Sequence, residues 1–406
     1  MPLCFLVATA VASSALGTLA RTHDAALGLR LNPLSTQARL AAARAALLAD
    51  AQRLGEPRWG ASLALGRRLA PSEPKMTAAL ATHHQIAGRD AQAQRLFGLA
   101  LADAPHDAEL NLQAVAFAAQ DGDLARAARH VALLGNRNAA IWSLAAPAAG
   151  MLADDPQARA VLIEGMGASP VARDRLLRAL LKERKQELAA QIVLAWHQRH
   201  GEPLPGEVAL VTTSLVSARQ YAIAYELHER THGDDRRTDT ERVFNGRFAS
   251  DPKGGPFDWT LLEVPGLTVE RRRVAGGASG SPVHEVAFTF RDAPVALDNL
   301  RQDIMLRPGP HELRVEYAQR DLRSSRPIRL ELGCRYDRSV LARHQFTEGS
   351  RPATEATLAF EVPGNEKCPV YRLRLVSDIT SNSWRDRSRG ELVIRSVAIE
   401  AVGDGA

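Results

Sequence analysis

The stretch HGDDRRTDTERVFNGRFASDPKGGPFDW, residues His232–Trp259, divides a sequence of two different characters. Before it, alanine and leucine recur with helical spacing; after it, polar and apolar residues alternate as in half-buried strands. Residues 231–243 are charged and turn-prone and cannot bury a core, which is typical of a linker. The sequence therefore predicts a helical domain over 21–230 and an antiparallel β-sandwich over 244–406.

The linker raises the question of whether the two halves fold separately. If each half has its own core, the linker should be the interior segment most sensitive to protease. In the alternative interpretation, Tyr225 and Leu227 of the last helix pack against the sandwich, and the two form one unit.

Composition narrows the class of function. A chain of 406 residues predicts two or three domains, each large enough for its own core. The formal net charge is +5, and residues 244–406 contain 24 Lys and Arg against 22 Asp and Glu. Since a nucleic-acid-binding protein concentrates positive charge on one domain, no nucleic-acid partner is expected.

The N-terminal segment, residues 1–20, indicates export. Leu3–Ala20 carries no charge and is long enough to cross a bilayer if Arg21 reaches the interface. Arg21 and Arg30 alone favour a cytoplasmic location for the rest of the chain, whereas the sandwich, and a disulfide if its two cysteines Cys334 and Cys368 are bridged, favour the periplasm. We expect an inner-membrane anchor with the protein on the periplasmic side; the alternative is a cleaved signal and a soluble periplasmic protein.

The helical half contains an internal repeat with an offset of 34 residues. Leu65–Pro71 recurs as Leu99–Pro105, and Gly88 corresponds to Gly122. An earlier partial copy ends at Pro33, 38 residues before the proline of the next copy, so this interval holds a small insertion.

A period of 34 residues, with small residues where helices cross and a proline after the second helix, resembles the tetratricopeptide repeat. The resemblance covers about 34–139, although the Trp-Leu-Gly-Tyr signature of the first helix is missing. It implies an α-solenoid in which stacked helix pairs cover each other's apolar faces and present a surface to a protein partner.

The second half shows the alternation of an antiparallel sandwich or barrel, with frequent turns. One strand, around Val397, departs from strict alternation and suggests a bulge. The alternating sets are Val286, Phe288 and Phe290; Leu300 and Ile304; Leu313, Val315 and Tyr317; Ile328, Leu330, Leu332 and Cys334; and Tyr371, Leu373 and Leu375.

This half resembles the jelly-roll carbohydrate-binding modules of the xylan- and glucan-binding type. The matching stretches are Asn245–Phe248, Trp259, Asn299–Gly309 and Gly390–Ile399. The resemblance covers about 244–401 and implies a polysaccharide ligand. A helical repeat array joined to such a module also resembles proteins associated with bacterial exopolysaccharide production and export, which implies a place in the cell envelope.

Glycan-binding modules stack sugar rings on exposed aromatic side chains and read hydroxyl groups with polar ones. The aromatic candidates are Trp384, Tyr336 and Phe346, and the polar candidates are Arg335, Arg385 and Asp386. The alternative for Trp384 is that it fills the edge of the sandwich, since tryptophan is highly buried on average. Trp259 follows Phe257 at strand spacing and is predicted to lie in the core.

Two of the three cysteines, Cys334 and Cys368, lie in the β half. A disulfide between them would stabilise an exported module by roughly 3–4 kcal/mol. The alternative is two independent buried thiols.

No catalytic or metal-binding pattern is present in the sequence. His83, His84, His197 and His200 lack cysteine or carboxylate partners at ligand spacing, and Ser279 is not in a nucleophile elbow. No two carboxylates are paired by the sequence as a glycosidase would need, so no cofactor and no enzymatic activity are expected. The predicted function is a non-enzymatic periplasmic adaptor; the alternative is a purely protein–protein scaffold with a structural sandwich.

Overall fold

A computed structural model describes residues 25–137, 139–201, 205–231, 243–274, 283–337, 339–364, 368–379 and 385–402. The N-terminal segment 1–20, linker residues 232–242 and Trp384 lie outside the described residues. The chain forms two compact units, one ending at Ala179 and the other beginning at Leu180.

The first unit consists of helices that pack as antiparallel pairs. The boundary with the second unit falls inside the last of these helices. They are α1 Ala25–Leu31, α2 Thr36–Ala49, α3 Ala51–Leu54, α4 Pro57–Leu69, α5 Pro74–Ile86, α6 Asp90–Asp103, α7 Ala108–Gln120, α8 Leu124–Gly135, α9 Ala139–Leu152, α10 Pro156–Gly167 and α11 Pro170–Lys182.

The repeat predicted from the sequence coincides with the helix boundaries. Pro71 and Pro105 each follow the end of a second helix, α4 and α6, and the next helix begins three residues later. Its N-cap residue, Glu73 or Asp107, accepts hydrogen bonds from the backbone of the first turn. The short helix α3 lies inside the longer interval and accounts for the predicted insertion.

The turns within the pairs depend on a left-handed residue. Gly88 (φ 72°) follows α5 and Gly122 (φ 75°) follows α7. At each turn, two backbone N–H groups bond back to the helix, as Gly88 does to Gln85 and Arg89 to His84. This is the Schellman arrangement, which explains why glycine recurs with the repeat period.

The second unit continues the pattern with α12 Gln186–His200, α13 Pro205–Ser217 and α14 Tyr221–Thr231. Its turns have the same hydrogen bonds, but the left-handed positions are held by Arg184 (φ 60°) and Arg219 (φ 61°).

The β half forms two five-stranded antiparallel sheets, in the orders β1-β4-β9-β6-β7 (sheet A) and β2-β3-β10-β5-β8 (sheet B). Their facing side chains form one core, and Trp259 and Phe288 are fully buried in it. The strands are β1 Thr260–Leu261, β2 Leu267–Val274, β3 Val283–Ala293, β4 Asp298–Ile304, β5 Gly309–Ser324, β6 Ile328–Cys334, β7 Val340–Phe346, β8 Gly349–Val362, β9 Tyr371–Ser377 and β10 Ser388–Ala401.

The segment that opens the β half closes one end of the core. A Cβ atom at Gly246 would lie 2.1 Å from the carbonyl oxygen of Val397, so only glycine fits there. The amide of Val397 in turn donates to the carbonyl of Gly246 at 2.9 Å. The register of β10 shifts between Ile394 and Ser396, which confirms the predicted bulge.

Helices α13 and α14 pack against this opening segment. The rings of Tyr225 and Phe257 are 5.3 Å apart, and those of His228 and Phe244 are 4.7 Å apart. Gly255 lies against Ala209 of α13 so closely that an added Cβ would be 3.3 Å from its Cα. These contacts support the interpretation in which the last helices and the sandwich form one unit.

None of the described helices combines the length and the apolar character that crossing a bilayer requires.

Candidate ligand-binding cleft

The outward face of sheet A carries charged side chains in rows across the strands. In one row, Arg301 of β4 pairs with Arg374 of β9, which pairs with Glu331 of β6. In the adjacent row, Asp303 pairs with Arg372. Apart from Gln302, the inward residues of the same strands are apolar core residues, so the polar side chains of these strands gather on the outward face.

The first carboxylate on this face is Asp303, whose side chain is only 2% exposed. Its Oδ1 accepts from Nε of Arg372 at 2.7 Å, and its Oδ2 bonds Arg335. Burial works against the charge of Arg372, but the hydrogen bond and charge of Asp303 outweigh it and raise the pKa of the guanidinium. We call Asp303, Arg301, Arg335 and Arg372 the Asp303 cluster.

The Asp303 cluster forms the floor of a cleft of about 180 Å³. Thr213 of α13, the loop residues Gly255 and Pro256, and Thr260 of β1 complete its walls. The backbone amide of Asp303 donates to the carbonyl of Pro256 at 2.7 Å, which fixes the loop over the sheet. The cleft therefore joins arginine and threonine residues of the sheet and of α13 under a loop.

Tyr336 lies beside the cleft. Its ring centroid is 5.7 Å from Cζ of Arg335 and 5.9 Å from Cζ of Arg219, within the range of a cation–π contact. Burial, followed by a hydrogen bond with Tyr221, raises the pKa of Tyr336 to about 12. The residue nevertheless keeps 46% of its surface exposed, and the ring of Tyr221 lies 5.8 Å from its own.

The second carboxylate is Glu331, with 5% of its side chain exposed. It bonds Arg343 at 2.9 Å, Arg329 at 3.1 Å and Arg374 at 3.4 Å. Arg329 also bonds Asp378. We call these five residues the Glu331 cluster.

Cys334 and Cys368 are joined by a disulfide, with their Cα atoms 5.8 Å apart. The bond connects the end of β6 to the chain just before β9. Arg335 follows one cysteine directly, and its amide donates to the carbonyl of Val370, which precedes β9. The disulfide thus holds together the two chain segments that carry Arg335 and Arg372.

The predicted site residues fall in different places. Arg335 and Tyr336 lie at the cleft. Phe346 was predicted as a stacking platform, but this is wrong: it is 4% exposed and packs in the core against Tyr317, because it occupies an inward position of β7. Trp384 lies outside the described residues.

Arg385 and Asp386 are not brought to the cleft. Asp386 bonds Arg326 at 3.3 Å, and Arg326 precedes β6 whereas Arg335 follows it. The two ends of this seven-residue strand are roughly 20 Å apart.

Sequence reasoning missed the residues that define the cleft, namely Asp303, Arg301, Arg372 and Thr213. Their outward orientation is readable from alternation, since Arg301 and Asp303 flank an inward Gln302. These side chains come together only through the register of β4 with β9 and the packing of α13. Neither can be predicted from a local sequence pattern.

The helical unit has a groove of its own. A cavity of about 300 Å³ is lined by α2, α3, α5 and α7, with Leu40, Leu47 and Leu110 among its apolar residues. At its rim, Glu109 bonds Lys75 at 3.2 Å and also bonds Arg44. The first helices of successive pairs thus present a joint surface with an apolar floor and a charged rim.

In the part of the chain that the structure describes, no group of three or more His, Cys, Asp or Glu residues is arranged to hold a metal ion. His83 is buried and bonds the carbonyl of Leu54 through Nδ1 at 2.6 Å.

Neither a family model nor a curated protein sequence matches this chain. Several solved structures are similar to parts of it. A CBM4 structure is 14% identical over 39% of this chain and 98% of its own length, with a TM-score of 0.28. The CBM22-1 xylan-binding domain from Paenibacillus barcinonensis Xyn10C is 12% identical over 41% of this chain and 98% of its own, with a TM-score of 0.26. The Pseudomonas aeruginosa pilF structure is 14% identical over 50% of this chain and 78% of its own, with a TM-score of 0.26.

Proposed function

We propose that this protein is a non-enzymatic adaptor of the bacterial cell envelope, held at the periplasmic side of the inner membrane. Its helical array binds a protein partner, and its sandwich binds a polysaccharide during exopolysaccharide synthesis or export. The envelope location follows from the apolar N-terminal segment and from the sequence resemblance of the whole arrangement. The sandwich–ligand part is the one that the geometry supports most directly.

The observation that supports it is the cleft over the Asp303 cluster. A glycan site needs hydroxyl and guanidinium donors that converge in a concavity, together with an aromatic surface at its edge. Thr213, Thr260 and Arg301 supply the polar groups, and Tyr336 supplies the exposed ring. At about 180 Å³, the cleft is smaller than the roughly 300–1,000 Å³ of pockets for drug-sized ligands, so it suits a single sugar residue of a longer chain.

The groove of the helical unit supports the protein-partner part. Its apolar floor matches the hydrophobic side of a peptide, and its charged rim would fix the orientation of that peptide. The side-chain oxygen of Gln113 is buried in the groove wall without a hydrogen-bond partner among the described residues, and it would accept an N–H from an occupant.

Polysaccharide affinity electrophoresis of the full chain tests the sandwich part. We expect at least one polysaccharide to retard the protein. Acidic and neutral polysaccharides should retard it to different extents. An Arg301→Gln substitution should reduce the retardation, and an Ala79→Arg substitution in the helical groove should leave it unchanged. If no polysaccharide retards the protein, the sandwich is structural and the chain is a protein–protein scaffold.

A further inference from the structure

We propose that the cleft over the Asp303 cluster recognises a carboxylate-bearing sugar, a uronic acid residue within an acidic polysaccharide. This inference rests on the proposed function and names the ligand class of the same site.

The charge of the cleft favours an anionic ligand. Three arginines, Arg301, Arg335 and Arg372, line the cleft together with a single carboxylate, that of Asp303. Asp303 is already engaged with two of them, at Arg335 and Arg372. Among the lining residues, the positive charges exceed the negative ones by two, and Asp298 outside the lining offsets part of this at 3.7 Å from Arg301. A partly enclosed site strengthens the remaining attraction for an anion relative to open water.

The position of Arg301 favours a carboxylate in particular. Arg301 lies directly across from Arg374 in the register of β4 and β9, and like charges in such a pair destabilise a sheet. Its only ion pair in the described part of the chain is a long one, 3.7 Å to Asp298. Arg301 thus lies at the wall of the cleft although its position is unfavourable for the sheet. A local cost of this kind is expected where a guanidinium binds an external carboxylate.

The walls of the cleft distinguish a sugar acid from a bare anion. Thr213 and Thr260 line the walls, and their hydroxyl groups are of the kind that pair with the hydroxyl groups of a sugar ring. Tyr336, 46% exposed and next to Arg335, adds an aromatic residue against which a pyranose can pack. A simple phosphate ion would use the guanidinium and hydroxyl groups but not the aromatic residue.

Calorimetric titration of the full chain with short oligogalacturonate tests the inference. The matched ligand is the same oligomer with its carboxylates methyl-esterified, which keeps the sugar rings and removes the charge. We expect the acidic oligomer to bind and the ester to bind at least tenfold more weakly. A higher salt concentration should weaken binding of the acidic oligomer, because salt screens the attraction between its carboxylates and the arginines of the cleft.

The matched variants are Arg301→Gln in the cleft and Arg343→Gln in the Glu331 cluster on the same sheet. Loss of a charge-assisted hydrogen bond should weaken binding of the acidic oligomer roughly 10- to 150-fold in Arg301→Gln. Arg343→Gln should bind as the unchanged protein does. Circular dichroism of both variants verifies that they are folded.

Three outcomes would overturn the inference. Equal affinity for the ester would mean that the cleft binds neutral sugars, which leaves the proposed polysaccharide function standing. Competition by inorganic phosphate at equal concentration would assign the cleft to a simple anion instead. Equal losses in the two arginine variants would place the binding outside the cleft.

Discussion

The Asp303 and Glu331 clusters lie on the same face of the same sheet and use the same chemistry, yet their surroundings differ. Each centres on a carboxylate that is almost fully buried among arginines. Both arginines of the Asp303 ion pairs are half-buried, at 21% and 26% exposure, whereas in the Glu331 cluster only Arg329 is so enclosed, at 14%, and Arg343 and Arg374 are about half exposed. The first cluster also lies under α13 and the Gly255 loop, which form a cleft over it.

This difference separates a structural ion-pair network from a candidate site. In the Glu331 cluster, three arginines face two carboxylates, Glu331 and Asp378, and the exposed guanidinium groups are compensated by water. In the Asp303 cluster, three arginines also face two carboxylates once Asp298, 3.7 Å from Arg301, is counted, but only Asp303 lies inside the concavity. Enclosure, rather than charge, therefore marks the place where a ligand would replace solvent.

The largest expected effect comes from removing each central carboxylate. Asp303→Asn leaves two poorly hydrated guanidinium groups close together, so we expect a loss of about 3–5 kcal/mol in the free energy of unfolding of the second unit. Glu331→Gln should cost less, about 1–2 kcal/mol, because Arg343 and Arg374 can turn toward water and Arg329 keeps its bond to Asp378. Hydrogen exchange of β4 and β9 amides measures both. Equal losses would show that the burial of the arginines does not matter.

The disulfide gives the next effect. Replacing Cys334 and Cys368 together by serine removes a link across a sequence separation of 34, and we expect a loss of roughly 3–4 kcal/mol in unfolding free energy. Because the bond holds the segments of Arg335 and Arg372 together, affinity for the acidic oligomer should fall as well. If the double variant kept the stability and the affinity of the unchanged protein, the disulfide would not be needed to position the Asp303 cluster.

The two arginines in left-handed turns provide a matched pair. Arg184→Gly should raise the unfolding free energy by about 0.5–1 kcal/mol, since glycine adopts this conformation without steric cost. Arg219→Gly should have the same stabilising effect on its turn, but it also loses the contact with Tyr336, which is worth about 0.5–1 kcal/mol. The net change in its unfolding free energy should therefore be close to zero. Urea unfolding of both variants measures the difference. If both glycine variants gained equally, the ring contact would contribute nothing.

The smallest effect concerns Tyr336 at high pH. Its folded-state pKa of about 12 lies above the ordinary value of 10.0, so the folded protein holds the phenolic proton where the unfolded chain releases it. Stability should therefore be fully present below pH 10 and decline as the pH rises from 10 toward 12. Tyr336→Phe should reduce this decline. Ultraviolet absorbance of the phenolate follows the titration, and an ordinary pKa for Tyr336 would contradict the expectation.

The sequence predicted the parts of this molecule that have local signals. The 34-residue period identified the helix pairs because proline, caps and glycine turns recur with it. Alternation identified the strands and placed Cys334 on an inward face, where it is 7% exposed. Phe346 shows a limit: it was predicted as a stacking residue from its aromatic side chain alone, whereas its inward position in β7 leaves it 4% exposed.

The cleft was not predictable in this way. Arg301 and Asp303 come from one strand, Arg372 from another that is distant in sequence, and Thr213 from a helix on the other side of the linker. Only the register of β4 with β9 brings the sheet residues together. Arg335 and Tyr336 were predicted because an aromatic side chain beside a polar one in the sequence suits the stacking and hydroxyl contacts of a glycan site.

The central claim is that the cleft, and not the Glu331 cluster, is the ligand site. A crystal structure of the full chain soaked with oligogalacturonate tests it most directly. We predict a uronate carboxylate bonded to Arg301 and Arg372, with a sugar ring against Tyr336 and a hydroxyl near Thr213. An oligomer bound instead at Arg343 and Arg374, with the cleft holding only solvent, would contradict it.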